Sequence, residues 1–200
     1  MDSLAKEYIV DFFSKKLSFF GDKPSAVGWS DIGQKLRYEC ILRLIPINGK
    51  SILDFGCGKG DLYGFFKERN IEVDYTGIDI NPELTKFASA KYPDVQFLTL
   101  DIDSETIPNV FDYIILCGVF NLNIQGVKEA LKESLEKLFH HTKNSLLFTC
   151  LSTYSKNKDI NLVYFDPAEL LSLASKITKS ANLYLNLIEG DIFLLLNKNF

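Results

Sequence analysis

The stretch SILDFGCGKGDLYGFF, residues 51–66, limits what this 200-residue chain can fold into more than any other. It reads as a short buried strand over 51–55, a turn with glycine at 56, 58 and 60, and a helix from Asp61. Glycines at alternate positions let the backbone turn sharply and leave room for a ligand against it. The helix start beyond them offers unsatisfied N–H groups. A dinucleotide-binding loop uses G-x-G-x-x-G, with the pyrophosphate at the helix N-terminus. Here the spacing is G-x-G-x-G, and Asp54 stands two positions before the first glycine. A carboxylate there repels a pyrophosphate and suits an ammonium group or the waters around one. The other reading is a plain strand-to-helix turn.

The flanks extend the pattern. Leu4, Tyr8, Ile9, Phe12, Phe13, Leu17 and Phe20 recur at helical spacing, and Gly21-Asp22-Lys23-Pro24 ends that element. Such a helix either covers the sheet or closes over a substrate. Ser30 or Asp31 caps a second helix running to about Leu44. Trp29, the only tryptophan, precedes it, and Gln34 and Arg37 share one of its faces. Arg37 either holds a carboxylate bidentately or is simply exposed. A helix over 61–70 leads to a strand over 72–79 that ends in Asp79. A carboxylate there can accept both hydroxyls of an adenosine ribose, or it caps the next helix, which Pro82 opens and which runs to 91. A third strand over 95–100 is followed by Asp101-Ile102-Asp103. Asp101 is placed to take an adenine amino group and the Ile102 N–H to meet a ring nitrogen; the rival reading is a solvated acidic loop.

Residues 111–117 form the most apolar strand, expected near the centre of a parallel sheet. It ends at Cys117, before Gly118-Val119-Phe120-Asn121. Asn121 is either a substrate-side polar group or a helix-entry residue. A helix follows over 125–141, with His140 and His141 at the end where the helix dipole favours them. Then come a strand over 145–151, an irregular stretch over 152–166 carrying Tyr154 and Tyr164, and a helix from Pro167 to about 176. Two last strands, 183–188 and 192–196, are joined through Glu189-Gly190-Asp191. The expected fold is α/β: a Rossmann-like seven-stranded, mostly parallel sheet with helices on both faces and an antiparallel C-terminal hairpin. We expect a single domain over 1–200, with residues 1–30 as a helical N-terminal cap.

Net charge is −4 and no basic run exceeds two residues, which argues against a protein that grips long nucleic acid by its phosphates. The four cysteines are far apart, no C-x-x-C occurs, and there are two histidines, so neither a metal site nor a disulfide framework is expected. Reduced thiols in a cytoplasmic protein are the simpler reading. The start, MDSLAKEY, has no basic-then-apolar leader, and no run of about 18 apolar residues occurs, so no membrane span is expected.

The loop DFGCGKG, Asp79 after the second strand, Asp101 after the third and the terminal hairpin occur together in the order of the class I S-adenosylmethionine-dependent methyltransferases, and from about residue 28 onward the chain resembles them. It looks similar to a group of small bacterial members marked by G-W-x-S…Q-x-x-R, G-D-L-Y, G-x-F-N and L-S-T-Y. Here those segments are Gly28-Trp29-Ser30 with Gln34 and Arg37, Gly60-Asp61-Leu62-Tyr63, Gly118-Val119-Phe120-Asn121 and Leu151-Ser152-Thr153-Tyr154. The chain departs from the group at 186–191, where a His-Asp-Tyr-rich segment is usual. The resemblance implies S-adenosylmethionine as cofactor. Trp29, Arg37, Asp54, Gly56, Cys57, Gly58, Asp79, Ile80, Asp101, Ile102 and Cys117 would line its site, and Asn121, Tyr154 and Tyr164 would lie on the acceptor side. It names no catalytic residue. There is no Asn-Pro-Pro-Tyr-like tetrad after the fourth strand and no Pro-Cys pair, which with the acidic charge points to a small-molecule acceptor. The competing expectations are a catalytically silent protein of the same fold and, further off, a nicotinamide oxidoreductase.

Overall fold

The computed structural model describes residues 1–198. Its backbone contacts divide the chain into two compact units, one over residues 2–106 and one from Ile107 onward.

The first unit opens with helix α1 (Ser3–Phe20), whose N-cap Asp2 accepts from the Ala5 N–H at 2.8 Å and which stops at Gly21. A short 3-10 turn, Pro24–Val27, leads to α2 (Asp31–Leu44), capped by Ser30. Then β1 (Lys50–Phe55), α3 (Asp61–Glu68), β2 (Val73–Asp79), α4 (Pro82–Lys91) and β3 (Gln96–Thr99) alternate as the periodicity predicts. The three strands are parallel in the order β3-β2-β1, with Asp54 beside Gly77 and Asp79 beside Thr99. Ile52, Leu53, Ile78, Leu62, Phe66 and Leu84 are buried between the sheet and its helices. Right-handed crossovers through helices put the carboxyl ends of these strands, and the loops that follow them, on one edge.

The second unit holds β4 (Phe111–Cys117), α5 (Val127–His140), β5 (Thr142–Leu151), α6 (Pro167–Ile177), β6 (Ser180–Tyr184) and β7 (Asp191–Asn197). β4 and β5 are parallel; β7 lies antiparallel between β5 and β6. The fold class is the expected Rossmann-like one: seven strands, mostly parallel, with an antiparallel C-terminal pair and helices packed around them.

The last pair is shifted from its expected bounds. β6 ends at Tyr184, opposite Phe193, so residues 185–190 form a connection and not a strand with a tight turn. The reason is local: the Gly190 carbonyl accepts from the Ser152 N–H at 2.8 Å, which ties this connection to the chain leaving β5. The irregular stretch is also better anchored than its composition suggests. Residues 161–165 run between the segments after β4 and β5. Val163 N–H donates to Asn121 O at 2.8 Å and Asn123 N–H to Asn161 O at 2.8 Å. Thr153 N–H donates to Phe165 O at 2.9 Å and Phe165 N–H to Leu151 O at 2.8 Å. Val163 and Phe165 are buried, and Phe165 meets Phe148 edge-on.

Candidate functional site

The glycine loop is closed by its own hydrogen bonds. The N–H groups of Gly56 and Cys57 both donate to Ile78 O, at 2.7 and 3.0 Å, Gly60 N–H donates to Cys57 O at 3.0 Å, and Gly58 N–H donates to Asp79 Oδ2 at 2.8 Å. The N–H groups of Gly56, Cys57 and Gly58 are therefore engaged by β2 and that of Gly60 by the loop itself. Gly58 has a second constraint: its φ is +54°, and a Cβ there would stand 3.0 Å from Val27 Cγ1. The turn after α1 is thus seated directly on the loop.

Carboxylates surround this loop. Asp54, at the end of β1, is 4% exposed and accepts from Tyr75 Oη on β2 at 2.5 Å. Burial pushes its carboxyl up to about 7, the Tyr75 bond opposes this, and the charges of Asp79 and Asp61 add to the rise. Asp79 is also pushed up by burial, against the pull of the N–H groups of Asn81, Gly58 and Ile80. Its Oδ1 accepts from Asn81 N–H at 2.9 Å, so Asp79 ties the loop after β1 to the loop after β2. It is not the cap of α4: that is Asn81, whose side chain accepts from the N–H groups of Glu83 and Leu84. Cys57 is buried and its thiol pushed well above the ordinary range by burial, then by Asp79 and Asp54, so no thiolate chemistry is offered there.

One cation lies inside this acidic group. Lys59 is 1% exposed and donates to Asp61 Oδ1 at 2.5 Å, Asp22 O at 2.9 Å and Asp22 Oδ1 at 3.1 Å. Gln34, also buried, donates from Nε2 to the other Asp61 oxygen at 2.9 Å. The Gln34–Asp61–Lys59–Asp22 chain fastens α2 and the end of α1 to the glycine loop. Gln34 is thus a buried link, while Arg37 stacks on Trp29 at 4.3 Å and donates to Gly33 O at 2.9 Å.

At the end of β3, Asp101 is half-buried. Its Oδ2 accepts from Lys6 Nζ of α1 at 2.7 Å and its Oδ1 from Asp103 N–H at 3.0 Å. Ile80 and Ile102, which follow Asp79 and Asp101, are half-buried. The first unit thus places Asp54 and Asp79 at the ends of β1 and β2, Gly56, Cys57, Gly58, Ile80, Asp101 and Ile102 on the loops that follow β1, β2 and β3, and Trp29 and Arg37 together just before and within α2. Lys6, Lys59 and Tyr75 are additions that sequence reasoning missed. Only the lysine enclosed in GCGKG, flanked by Asp54 and Asp61, could have signalled one of them.

In the second unit Cys117 ends β4, next to Thr149 of β5. Asn121 and Thr153 each lie four residues beyond that pair, on the two loops bridged by residues 161–165. Asn121 Oδ1 and Thr153 Oγ1 are buried and have no hydrogen-bond partner among the described residues. Tyr154 is 68% exposed. Tyr164 spends its hydroxyl on its own loop, accepting from Asp159 N–H at 2.7 Å. Thr153, not singled out from the sequence, thus stands out more than either tyrosine. His141 ends α5, its Nδ1 at 2.9 Å from Asn109 O, as a helix-end residue would be.

Among the described residues no group of His, Cys, Asp and Glu is placed to hold a metal ion, and no helix is long and apolar enough to cross a membrane. Carboxylates on two strand ends, Asp54 and Asp79, thus flank a loop whose N–H groups at 56, 57, 58 and 60 are engaged within the chain.

A model of the methyltransferase domain matches residues 52–143. A Mycobacterium tuberculosis protein named as a methyltransferase, Rv1506c, is 31% identical over 137 residues, which is 63% of this chain and 79% of that protein. Among solved structures, magnesium protoporphyrin IX methyltransferase from Synechocystis PCC 6803 with bound S-adenosylmethionine is 14% identical. It superposes with a TM-score of 0.70 over 100% of this chain and 98% of its own. The plantazolicin methyltransferase BpumL, in complex with a triazolic desmethyl analogue and S-adenosylhomocysteine, is 18% identical, with a TM-score of 0.64 over 100% of both chains. At such identities these structures share the fold. With the methyltransferase-domain match and the mycobacterial relative, the chain belongs to the class I S-adenosylmethionine-dependent methyltransferases.

Proposed function

We propose that this methyltransferase moves the methyl group of S-adenosylmethionine to a small-molecule acceptor. The glycine loop carries the cofactor half of that reading. Its N–H groups at 56, 57, 58 and 60 are used internally and carboxylates press in around it, which favours a sulfonium and an ammonium over a phosphate. In this reading Asp54 and the backbone of Gly56, Cys57 and Gly58 hold the methionine part. Arg37, set against Trp29, pairs with its carboxylate. Asp79 and Ile80 hold the ribose and Asp101 and Ile102 the adenine, with Cys117 the further cofactor residue. A carboxylate has about four lone-pair sites, so Asp79 and Asp101 can accept from a ligand beyond the bonds they already make.

The reaction is an in-line displacement. A lone pair of the acceptor attacks the methyl carbon, the carbon–sulfur bond breaks, and its electron pair stays on sulfur as the thioether. The cofactor supplies the reactivity; approach and orientation fall to the protein. A base is required only for an acceptor that is protonated at the working pH. The charge of −4 supports a small acceptor, and the buried Asn121 and Thr153 oxygens offer it polar contacts, with Tyr154 and Tyr164 the outer candidates.

Thermal unfolding beside S-adenosylmethionine, S-adenosylhomocysteine, NAD and ATP tests the cofactor. The first two should raise the midpoint and the others should not. A ligand at about 100 times its dissociation constant adds roughly 2.7 kcal/mol, on the order of 5–10 °C here. Asp79→Asn should remove most of that shift. Release of S-adenosylhomocysteine over a panel of phenols, amines and carboxylic acids, with transfer RNA and duplex DNA alongside, tests the acceptor. Turnover confined to the nucleic acids would overturn the small-molecule assignment.

A further inference from the structure

Helix α1 crosses the carboxyl-end loops of the first unit in the order of the strands beneath it. Lys6 reaches the loop after β3. Val10 O accepts from Asn81 Nδ2 at 2.9 Å, and Ser14 Oγ does so at 3.1 Å, at the loop after β2. Asp22, just beyond the helix, binds Lys59 in the loop after β1. Eight residues from Lys6 to Ser14 rise about 12 Å, against about 5 Å between neighbouring strands, so the helix has length enough to pass from one strand end to the next. Its hydrogen bonds and ion pairs, with those of Asp22, reach these loops at three points, and none of its residues is buried in the sense of a core helix.

The contact at Lys6 is the most specific of them. Lys6 is 19% exposed and its ammonium stands 2.7 Å from both Asp101 Oδ2 and Asp103 Oδ2. Asp101 Oδ1 is taken by Asp103 N–H at 3.0 Å, and the Asp101 N–H donates to Glu105 Oε2 at 2.9 Å. The carboxylate is therefore gripped at both oxygens, and its plane is set before any ligand arrives. Burial alone would lower the Lys6 ammonium, but the hydrogen bonds and charges of Asp101 and Asp103 outweigh it and hold it above its ordinary value, so it stays charged.

We propose that Lys6 is a positioning residue for base recognition: it fixes the Asp101 carboxylate in the orientation that accepts the adenine amino group, and so makes α1 part of the cofactor's specificity. This rests on the reading of Asp101 given above. Asp101 can read the base only from a fixed orientation, because a hydrogen bond weakens steeply once its angle falls away. An untethered carboxylate at a loop surface would turn to solvent.

The experiment is calorimetric titration of the full-length protein with S-adenosylhomocysteine and with S-inosylhomocysteine, in which an oxo group replaces the amino group. The native chain should prefer the adenine ligand by about tenfold or more, as one hydrogen bond to a charged group predicts. Lys6→Met should shrink that preference to within about threefold, and Lys6→Arg should restore most of it. Thermal unfolding of each variant checks that it is folded. A Lys6→Met protein that loses affinity for both ligands equally, keeping the native preference, would make Lys6 merely structural and overturn the proposal. Failure of the native chain to bind S-adenosylhomocysteine would instead overturn the reading of the site itself, and the role of Lys6 with it.

Discussion

Around the glycine loop of the first unit, Asp54, Lys59, Asp61 and Asp79 are each engaged by other groups of the chain; beyond the ends of β4 and β5 in the second, the buried Asn121 Oδ1 and Thr153 Oγ1 have no hydrogen-bond partner among the described residues. Leaving a buried polar group unsatisfied costs about 1–3 kcal/mol, so the second arrangement is the less stable one until something binds. The first is built in advance. Its polar groups are held by short contacts, so on the proposed reading a cofactor would meet a surface that needs little reorganisation. In the proposed reading the contrast separates two tasks: a constant ligand would be met by a finished site, and a particular acceptor by groups left open for it.

The largest effect should come from Lys59. Lys59→Ala removes the 1%-exposed ammonium that pairs with Asp61, itself 12% exposed, and leaves Asp61 with Gln34 and the more distant Lys91, while Asp22, at 51%, contributes little in open solvent. Breaking a buried pair from one side costs about 3–5 kcal/mol, or on the order of 10 °C for a chain of this size. A drop below about 1 kcal/mol in chemical denaturation would mean that the loop is not held by this charge, and the prebuilt character of the first unit would be lost with it.

Asp54 should give the next largest effect, and its sign is set by pH. Its carboxyl lies at about 7 in the folded chain against 3.8 for an ordinary one, first because it is buried. A raised carboxyl gives stability that is complete below about pH 4 and is lost as pH rises through 7. Asp54→Asn, which mimics the protonated form and can still accept from Tyr75, should therefore match the native protein near pH 4. It should exceed the native protein's stability by about 2–4 kcal/mol at pH 8. The native protein should also bind S-adenosylmethionine more tightly at pH 8 than at pH 5, with a smaller dependence in the Asn variant, where Asp79 still titrates. Equal stability of the two proteins across that range would show Asp54 to be an ordinary ionised carboxylate.

The two units also differ in how far they could be read from sequence. Most strands and helices of both follow from apolar periodicity and from helix starts at Ser30, Pro82 and Asp166-Pro167, whose chemistry acts over three or four residues; the caps Asp2 and Asn81 and the bounds of β6 do not. The acidic positions of the first unit were legible because each stands at a strand end that a motif marks. Lys6 was not, because its partners are 95 and 97 residues away and nothing local distinguishes it from any lysine on an amphipathic helix. Gln34 and Arg37 share a helix face as their spacing predicts, but spacing does not say that one of them is buried against Asp61. In the second unit the two tyrosines drew attention by size. Thr153 did not, since only the fold shows that residues 161–165 close over it.

The smallest effect is the most exacting for the comparison. Replacing Thr153 by Val keeps the side-chain shape and deletes the buried hydroxyl. A hydroxyl without a partner contributes nothing that the methyl does not, so Thr153→Val should leave stability unchanged or raise it by up to about 1 kcal/mol. Its counterpart, Thr149→Val, removes a hydroxyl of β5 that donates to Cys117 Sγ at 3.6 Å, and should not stabilise. If the Thr153 hydroxyl serves the acceptor, the Val variant should bind S-adenosylhomocysteine as the native protein does and show a higher KM for the acceptor found in the panel. A loss of more than about 1 kcal/mol on Thr153→Val would reveal a partner for that oxygen. The contrast between the units would then narrow to Asn121, and acceptor recognition would have to rest on it alone.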